Sequence, residues 1–318
     1  MTPQLTCISL ISGQPMPMPH STVLCLGNFD GVHLGHRALL QAAKGWRDER
    51  FPSVPIGVLC FRDLPSDTLS DPPVGHLCSL EERLSRFAEC GMELAILASF
   101  SELRDLSPAD YIEQILKDEC RCVAAACGFN HRFGRFGKGT PALLAECFGD
   151  ALLLQEQVTV WGEPVSSTRI RGLLQAGEPE QAAALLTVPY TLRAPVIHGK
   201  ALGRTIGTPT INQNFPPKAV LPRFGVYATE VVARGAHYVG VSNVGIHPTV
   251  DADACVNCET FLLNFNGDLY GEEVTVSFRR FIRPEMKFES VEALRERILQ
   301  DARIAEKLLS NGSRDSVG

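Results

Sequence analysis

Along the first half of the chain, short unbroken apolar runs alternate with stretches in which apolar residues recur every three or four positions. The runs TVLCL (22–26), VPIGVLCF (54–61), a third around Leu94 to Leu97, and CVAAACGF (122–129) lack polar alternation, as strands buried on both faces do. Between them the spacing is helical. Leu39, Leu40, Ala43 and Trp46 mark one helix, and Ser79 with Glu82 forms a capping box that opens a second, closed by Gly91. Ser107 caps a third helix starting at Pro108, and Thr140-Pro141 opens a fourth by the same cap-plus-proline logic. Strands alternating with such helices predict a parallel, Rossmann-like α/β sheet covered on both faces.

After about Thr187 the pattern changes to short β-rich runs, TLRAPVI, GVYATEVV, HYVGVSNV, ETFLLNF and EEVTVSF, separated by Gly, Pro and Asn. They predict an antiparallel sheet or small β-barrel. Val291, Leu294, Ile298, Ala302 and Ala305 then line one face of a closing helix that Asn311-Gly312 can end. A length of 318 residues exceeds one compact domain, and the change of pattern divides the chain into domains 1–186 and 187–318.

Composition narrows the function classes. A hydrophobic fraction of 45% with 21% charged residues belongs to a packed globular protein. The formal charge of −6 argues against a general nucleic-acid binder, so any anion must be gripped locally. No stretch is apolar enough to span a membrane, and the first twenty residues lack the basic start and apolar core of a secretory signal; the expectation is a cytoplasmic protein with no membrane partner. Eleven scattered cysteines read as reduced small hydrophobes, and Cys255 with Cys258 is a CxxC without a second pair or nearby histidines to complete a zinc site. The sequence leaves oligomeric state open, a homo-oligomer included.

The candidate chemistry lies where strands hand over to helices. LGNFDGVHLGH (26–36) follows the first strand: Gly27 and Gly31 let backbone approach a ligand closely, while His33 and His36, three apart, project to one side over a helix N-terminus. Two imidazoles there suit a nucleotide triphosphate; they also suit simple capping and packing. SSTRIR (166–171) joins N-capping hydroxyls to two guanidiniums, an anion clamp or a capped helix with exposed arginines. GFNHRFGRFGKGT (128–140) brings Asn130, His131, Arg132, Arg135 and Lys138 to the same edge without being a Walker A loop, and suits a substrate loop. In the second half, GRTIGTPTIN (203–212) is too rich in Gly, Thr and Pro for a regular element. The oxygens of Thr205, Thr208, Thr210 and Asn212 suit a magnesium ion that keeps waters and leans on substrate phosphates. Glu259, in CETFLLNF, is either a solvated strand residue or a carboxylate able to take a proton from a substrate hydroxyl.

GNFDGVHLGH, GFNHRFG and SSTRIR, in this order and at these separations, resemble the adenylyltransferase module of the bifunctional riboflavin kinase/FAD synthetase family. GRTIGTPTIN, PRFGVYA, VSNVGIHPTV, ETFLLNFNGDLYGEEV and FIRPEMKF resemble its riboflavin kinase module, so the likeness covers nearly the whole chain. The resemblance implies ATP-dependent phosphorylation of riboflavin to FMN, then adenylylation of FMN to FAD with release of pyrophosphate. It implies that His33 and His36 serve the ATP phosphates, with Gly27, Asn28, Phe29, Asp30 and Gly31 around them. Ser166, Ser167, Thr168, Arg169 and Arg171 would hold the β and γ phosphates, and Asn130, Arg132 and Phe133 the flavin. In the kinase module it assigns Thr210 and Asn212 to Mg²⁺-ATP, Glu259 to activation of the riboflavin 5′-hydroxyl, and the Gly199 to Gly207 loop to a flap over the nucleotide, with Gly203 and Gly207 against the ATP. Two departures stand out. Phe61-Arg62-Asp63-Leu64-Pro65 lacks a histidine usual in the family's turn there, and Thr208 and Ile211 replace the usual Phe and Ala. The first admits a second reading, a riboflavin kinase with an impaired adenylyltransferase half; a flavin-binding regulatory protein is a third.

Overall fold

The computed structural model describes residues 5–10, 19–71, 74–199, 207–247 and 255–312. The chain divides into two compact units, 1–167 and 168–318.

Six parallel strands form the sheet of the first unit: β1 (Thr6–Ser9), β2 (Thr22–Leu26), β3 (Ile56–Phe61), β4 (Leu94–Ala98), β5 (Cys122–Gly128) and β6 (Leu152–Gln155). Their order is β1-β4-β3-β2-β5-β6. From β2 the chain winds one way to β3 and β4, then returns to the other side of β2 with β5 and β6. The topological switch point therefore lies between β2 and β5, and in such sheets ligands bind at that point, beyond the carboxyl ends of the strands.

Alternation along β2 explains the double cover. Val23 and Cys25 face one core with Leu39, Leu40 and Ala43 of the helix Leu34–Arg50 and Phe87 of the helix Leu80–Glu89. Leu24 and Leu26 face the other, with Ile112, Ile115 and Leu116 of the segment Tyr111–Glu119 and Leu144 of the helix Pro141–Phe148. The start signals act as the sequence predicts: Ser79 and Glu82 close a reciprocal capping box, Ser107 accepts from the Asp110 N–H, and Thr140 accepts from the Leu143 N–H. One feature differs. After a single α turn, Pro108–Asp110, the third helix widens to the five-residue step over Tyr111–Glu119, ending with the Cys120 N–H on the Ile115 carbonyl at 2.9 Å. Burial pushes the thiols of Cys60 and Cys127, inside this unit, up to about 11, so they behave as small hydrophobes.

A two-residue pairing of β7 (Thr159–Val160) with β8 (Glu163–Pro164) closes the first unit. The second opens with the helices Ser167–Ala176 and Pro179–Leu186. Its sheet comprises β9 (Tyr190–Pro195), β10 (Thr210–Asn214), β11 (Gly225–Ala233), β12 (Ala236–His247), β13 (Cys255–Leu262) and β14 (Glu273–Arg283), all antiparallel, in the order β10-β13-β12-β11-β14-β9. The two edges then meet: the Ile197 N–H, just past β9, donates to the Asn212 carbonyl of β10 at 2.8 Å. The buried Gln213 amide donates to the Ala194 and Val274 carbonyls, at 2.7 and 2.8 Å, from inside the same seam. Closure removes the exposed edges, giving the expected small barrel. The expectation of no regular element through 203–212 needs correction at its end, because Thr210–Asn214 is a strand: pairing with β13 overrides a composition that disfavours strands. Outside the barrel the helix Val291–Gly312 lays Ala302 and Ala305 on Val226, Ala228 and Val241, and the Oδ2 of its buried Asp301 accepts from Nη2 and Nε of Arg283 at 2.8 and 2.9 Å.

Candidate functional site

The chain leaves β2 through a turn that sterics alone would reject. Phe29 drops a fully buried ring between Phe87 and His36, at centroid distances of 5.4 and 5.2 Å, and to do so takes a left-handed φ of 54°. Gly31 (φ 76°) and Val32 (φ 42°) are left-handed as well. Glycine accommodates that φ without strain; Phe29 and Val32 persist there because neighbouring groups hold the backbone. The buried Asp30 carboxylate accepts from the Leu77 N–H at 3.0 Å, and its carbonyl accepts from the Ser167 hydroxyl at 3.1 Å. Arg83 donates to the Asn28 carbonyl at 2.9 Å and to the Phe61 and Arg62 carbonyls at 2.7 and 3.0 Å; Arg86 donates to the Gly31 carbonyl at 2.7 Å. The stretch Phe61-Arg62-Asp63-Leu64-Pro65 is thus firmly held: Arg83 ties its first two carbonyls to the turn after β2.

His33 and His36 are brought together more closely than spacing predicts. His33 is the N-cap of the helix Leu34–Arg50, its Nδ1 accepting from the His36 N–H at 3.4 Å, and the two rings stack at 3.6 Å with 13° between their planes. Burial, then His33, then Arg83 hold His36 well below the ordinary histidine range. The His36 imidazole is therefore neutral at physiological pH, offering hydrogen bonds rather than charge, and its buried Nδ1 has no hydrogen-bond partner among the described residues.

The loop after β5 lies across the switch point from this turn. Asn130 and Arg132 are exposed on it, whereas Phe133 is buried against Tyr111 at 5.2 Å. A Cβ at Gly139 would lie 2.5 Å from the Phe133 ring, so the loop closes on that ring only with glycine there. His131, 5.7 Å from the same ring, is driven by burial down to about 4, and its buried Nε2 has no hydrogen-bond partner among the described residues. Of the expected clamp, Ser166 and Ser167 belong to the first unit; Thr168, Arg169 and Arg171 follow in the helix Ser167–Ala176 of the second.

In the second unit, strand register assembles the residues. Asn212 of β10 pairs with Glu259 of β13, and Glu259 with Asn243 of β12, so three polar side chains stand in one row on one face. Thr210 lies two residues along on the same face. Asn212 is buried, Thr210 and Glu259 half-buried. Asn243 donates to the Glu285 carboxylate at 3.2 Å. Sequence reasoning missed Asn243, as it missed Arg83 and Arg86; register reveals the first, and packing shows which carbonyls the other two hold. Thr208 is fully buried with an unpartnered hydroxyl, and Gly207 is exposed with φ 74°. Gly203, the rest of 200–206, Asp251 to Ala254 and the Thr205 donor lie outside the described residues. Among the described residues no group of three or more His, Cys, Asp or Glu could hold a metal ion. The donors Thr210, Asn212 and Glu259 are oxygen-bearing and carry one carboxylate among them, which fits magnesium arriving with a nucleotide rather than a dedicated cage.

Comparison with known proteins gives the same two-part division. Residues 16–169 match the FAD synthetase family and residues 186–309 the riboflavin kinase family. Bifunctional riboflavin kinase/FMN adenylyltransferases from Listeria monocytogenes, Bacillus subtilis and Escherichia coli are 33%, 33% and 35% identical, over 88%, 91% and 88% of this chain and 90%, 93% and 90% of theirs. A crystal structure from Streptococcus pneumoniae, described as a macrolide-efflux protein, superposes with a TM-score of 0.85 at 30% identity, covering 94% of this chain and 98% of that one. No described helix of the present chain is long and apolar enough to cross a membrane.

Proposed function

This chain belongs to the family of bifunctional riboflavin kinase/FMN adenylyltransferases, and we propose that it catalyses both steps, riboflavin to FMN in its second unit and FMN to FAD around the turn after β2. The observation that carries the reading is the continuous match to bifunctional relatives across both units.

In the kinase step the riboflavin 5′-hydroxyl attacks the γ-phosphorus of ATP while the bond to the bridging oxygen breaks and ADP leaves. Glu259 accepts the hydroxyl proton, and Asn212 and Asn243, its neighbours on either strand, flank its carboxylate. Thr210 and Asn212 would hold Mg²⁺, which when bound with ATP neutralises phosphate charge. In the adenylyl step an FMN phosphate oxygen attacks the α-phosphorus of ATP and pyrophosphate leaves. His36 and His33 donate hydrogen bonds to phosphate oxygens as charge builds there, with Ser166, Ser167, Thr168, Arg169 and Arg171 on the departing pyrophosphate and Asn130 and Arg132 on the flavin side. Substrates are ATP, riboflavin and FMN, in a cytoplasmic setting.

Incubation with riboflavin, Mg²⁺ and ATP, followed by separation of the flavins, tests the reading. FMN that converts to FAD is expected; FMN alone would favour the impaired adenylyltransferase, motivated by the absent histidine at 61–65, and no product a binding protein. We place the functional boundary at 186/187, which is supported by the kinase-family match starting at 186, although the compact units divide after 167. A fragment starting at residue 187 should phosphorylate riboflavin and make no FAD. An aggregated fragment, under conditions that keep the whole chain soluble, would put the helices 167–186 inside the kinase domain.

A further inference from the structure

Two guanidiniums lie behind the phosphate turn, on one face of the helix Leu80–Glu89 at spacing i, i+3. Arg83 is 4% and Arg86 8% exposed. Their hydrogen-bond partners are four neutral carbonyl oxygens, and among the described residues neither makes an ion pair. Arg47 shows what this unit does with an ordinary buried arginine: at 7% exposure it has Glu93 at 2.7 Å and Asp48 at 2.9 Å. Burying a charge is costly unless it is paired. Asp30, the carboxylate buried in the same turn, offsets at most one of the two cations. The excess positive charge sits directly under a turn whose His36 is neutral.

We propose that Arg83 and Arg86 are positioning residues for adenylyl transfer: their hydrogen bonds lock the left-handed turn and the end of β3 together, and the ATP polyphosphate supplies their missing counter-charge. The assignment rests on the reading of this unit as the adenylyltransferase. Neither arginine is placed to touch substrate, since both are buried and the hydrogen bonds they make, three from Arg83 and one from Arg86, all go to backbone carbonyls. Each acts through the carbonyl it holds and through its charge across the turn. Arg83 also couples the Asn28 carbonyl to the Phe61-Arg62 stretch, so the two loops move as one body.

Three full-length variants separate charge from geometry. Arg83→Lys keeps the charge but an ammonium cannot fork across three carbonyls; kcat for FMN adenylylation should fall, by about 10²-fold at the limit set by misplaced reacting groups, with KM for ATP within a few-fold. Arg86→Met removes charge and one hydrogen bond; KM for ATP in that step should rise about tenfold with a smaller change in kcat. Arg83→Met should combine both losses, Arg83→Lys restoring part of the affinity. Riboflavin phosphorylation, measured on the same preparations, should stay within twofold, and an unchanged thermal melt certifies that the first unit is still folded. MgATP titrated calorimetrically without flavin should show two sites in the wild type and one weakened in Arg86→Met. Unchanged adenylylation constants with unchanged ATP binding would overturn the proposal, and so would equal losses in both half-reactions. If the wild type made no FAD, the reading of this unit would fail, while the calorimetric comparison would still decide whether these arginines serve a polyphosphate.

Discussion

In the first unit the stacked imidazoles of His33 and His36 hang on a turn of left-handed residues held from behind by another helix; in the second, Asn212, Glu259 and Asn243 stand on neighbouring strands, and backbone pairing alone sets them side by side. The difference lies in where precision comes from. A strand row inherits its spacing from the ladder, so each member can change without moving the others. A strained turn has no ladder, and its shape depends on side chains such as Arg83, Arg86, Ser167 and the buried Phe29. The second site should respond to substitution one residue at a time, whereas the first should also respond to residues that never meet a substrate.

The strongest break of this comparison is Glu259→Gln. It keeps size and row position but cannot accept a proton, so riboflavin phosphorylation should fall about 10²–10⁴-fold while adenylylation of supplied FMN holds. A kinase rate within a few-fold of wild type would remove Glu259 from the mechanism. His36→Ala is next: losing one preorganised donor should slow adenylylation about 10²–10³-fold and spare the kinase step. Parallel decline of both rates in a folded variant would mean that the sites are not independent.

The smallest effect concerns His131. Its folded-state pKa, lowered to about 4 by burial, lies below the ordinary 6.5 it regains on unfolding. Below 6.5 the unfolded chain binds a proton the folded one refuses, so this residue's contribution is intact above pH 6.5 and drains away as pH falls toward 4. His131→Gln should flatten the fall in Tm between pH 7 and pH 4.5. A fall as steep as in wild type would show that His131 is not a source of acid sensitivity.

Local signals made much of the fold legible. The capping box at Ser79 and Glu82, the caps at Ser107 and Thr140 and the apolar runs of β2 to β5 act within a few residues, and the structure honours each. Less legible were the features decided by distant partners. β1 and β6 went unread: one pairs with β4 and the other with β5, and neither carries a long apolar run. Thr210–Asn214 is a strand because β13 lies beside it, and Tyr111–Glu119 widens for reasons no local pattern carries. The motif residues were readable as types and positions, but the stacking and neutrality of His36 were not, since both come from burial against Phe29, His33 and Arg83. A signal for the arginines did exist. Arg83 and Arg86 occupy the same face as Phe87, where an ordinary amphipathic helix would place apolar residues.

Mixing the two crippled proteins tests the central claim most directly. His36→Ala retains the kinase row and Glu259→Gln the phosphate turn, so neither alone should carry riboflavin to FAD at an appreciable rate. Combined in one tube with riboflavin, Mg²⁺ and ATP, they should release FMN from the first and convert it to FAD on the second, with FAD appearing after a lag. Absence of FAD from the mixture, when Glu259→Gln still adenylylates added FMN and His36→Ala still makes FMN, would contradict the account of two self-sufficient sites joined only by a diffusing product.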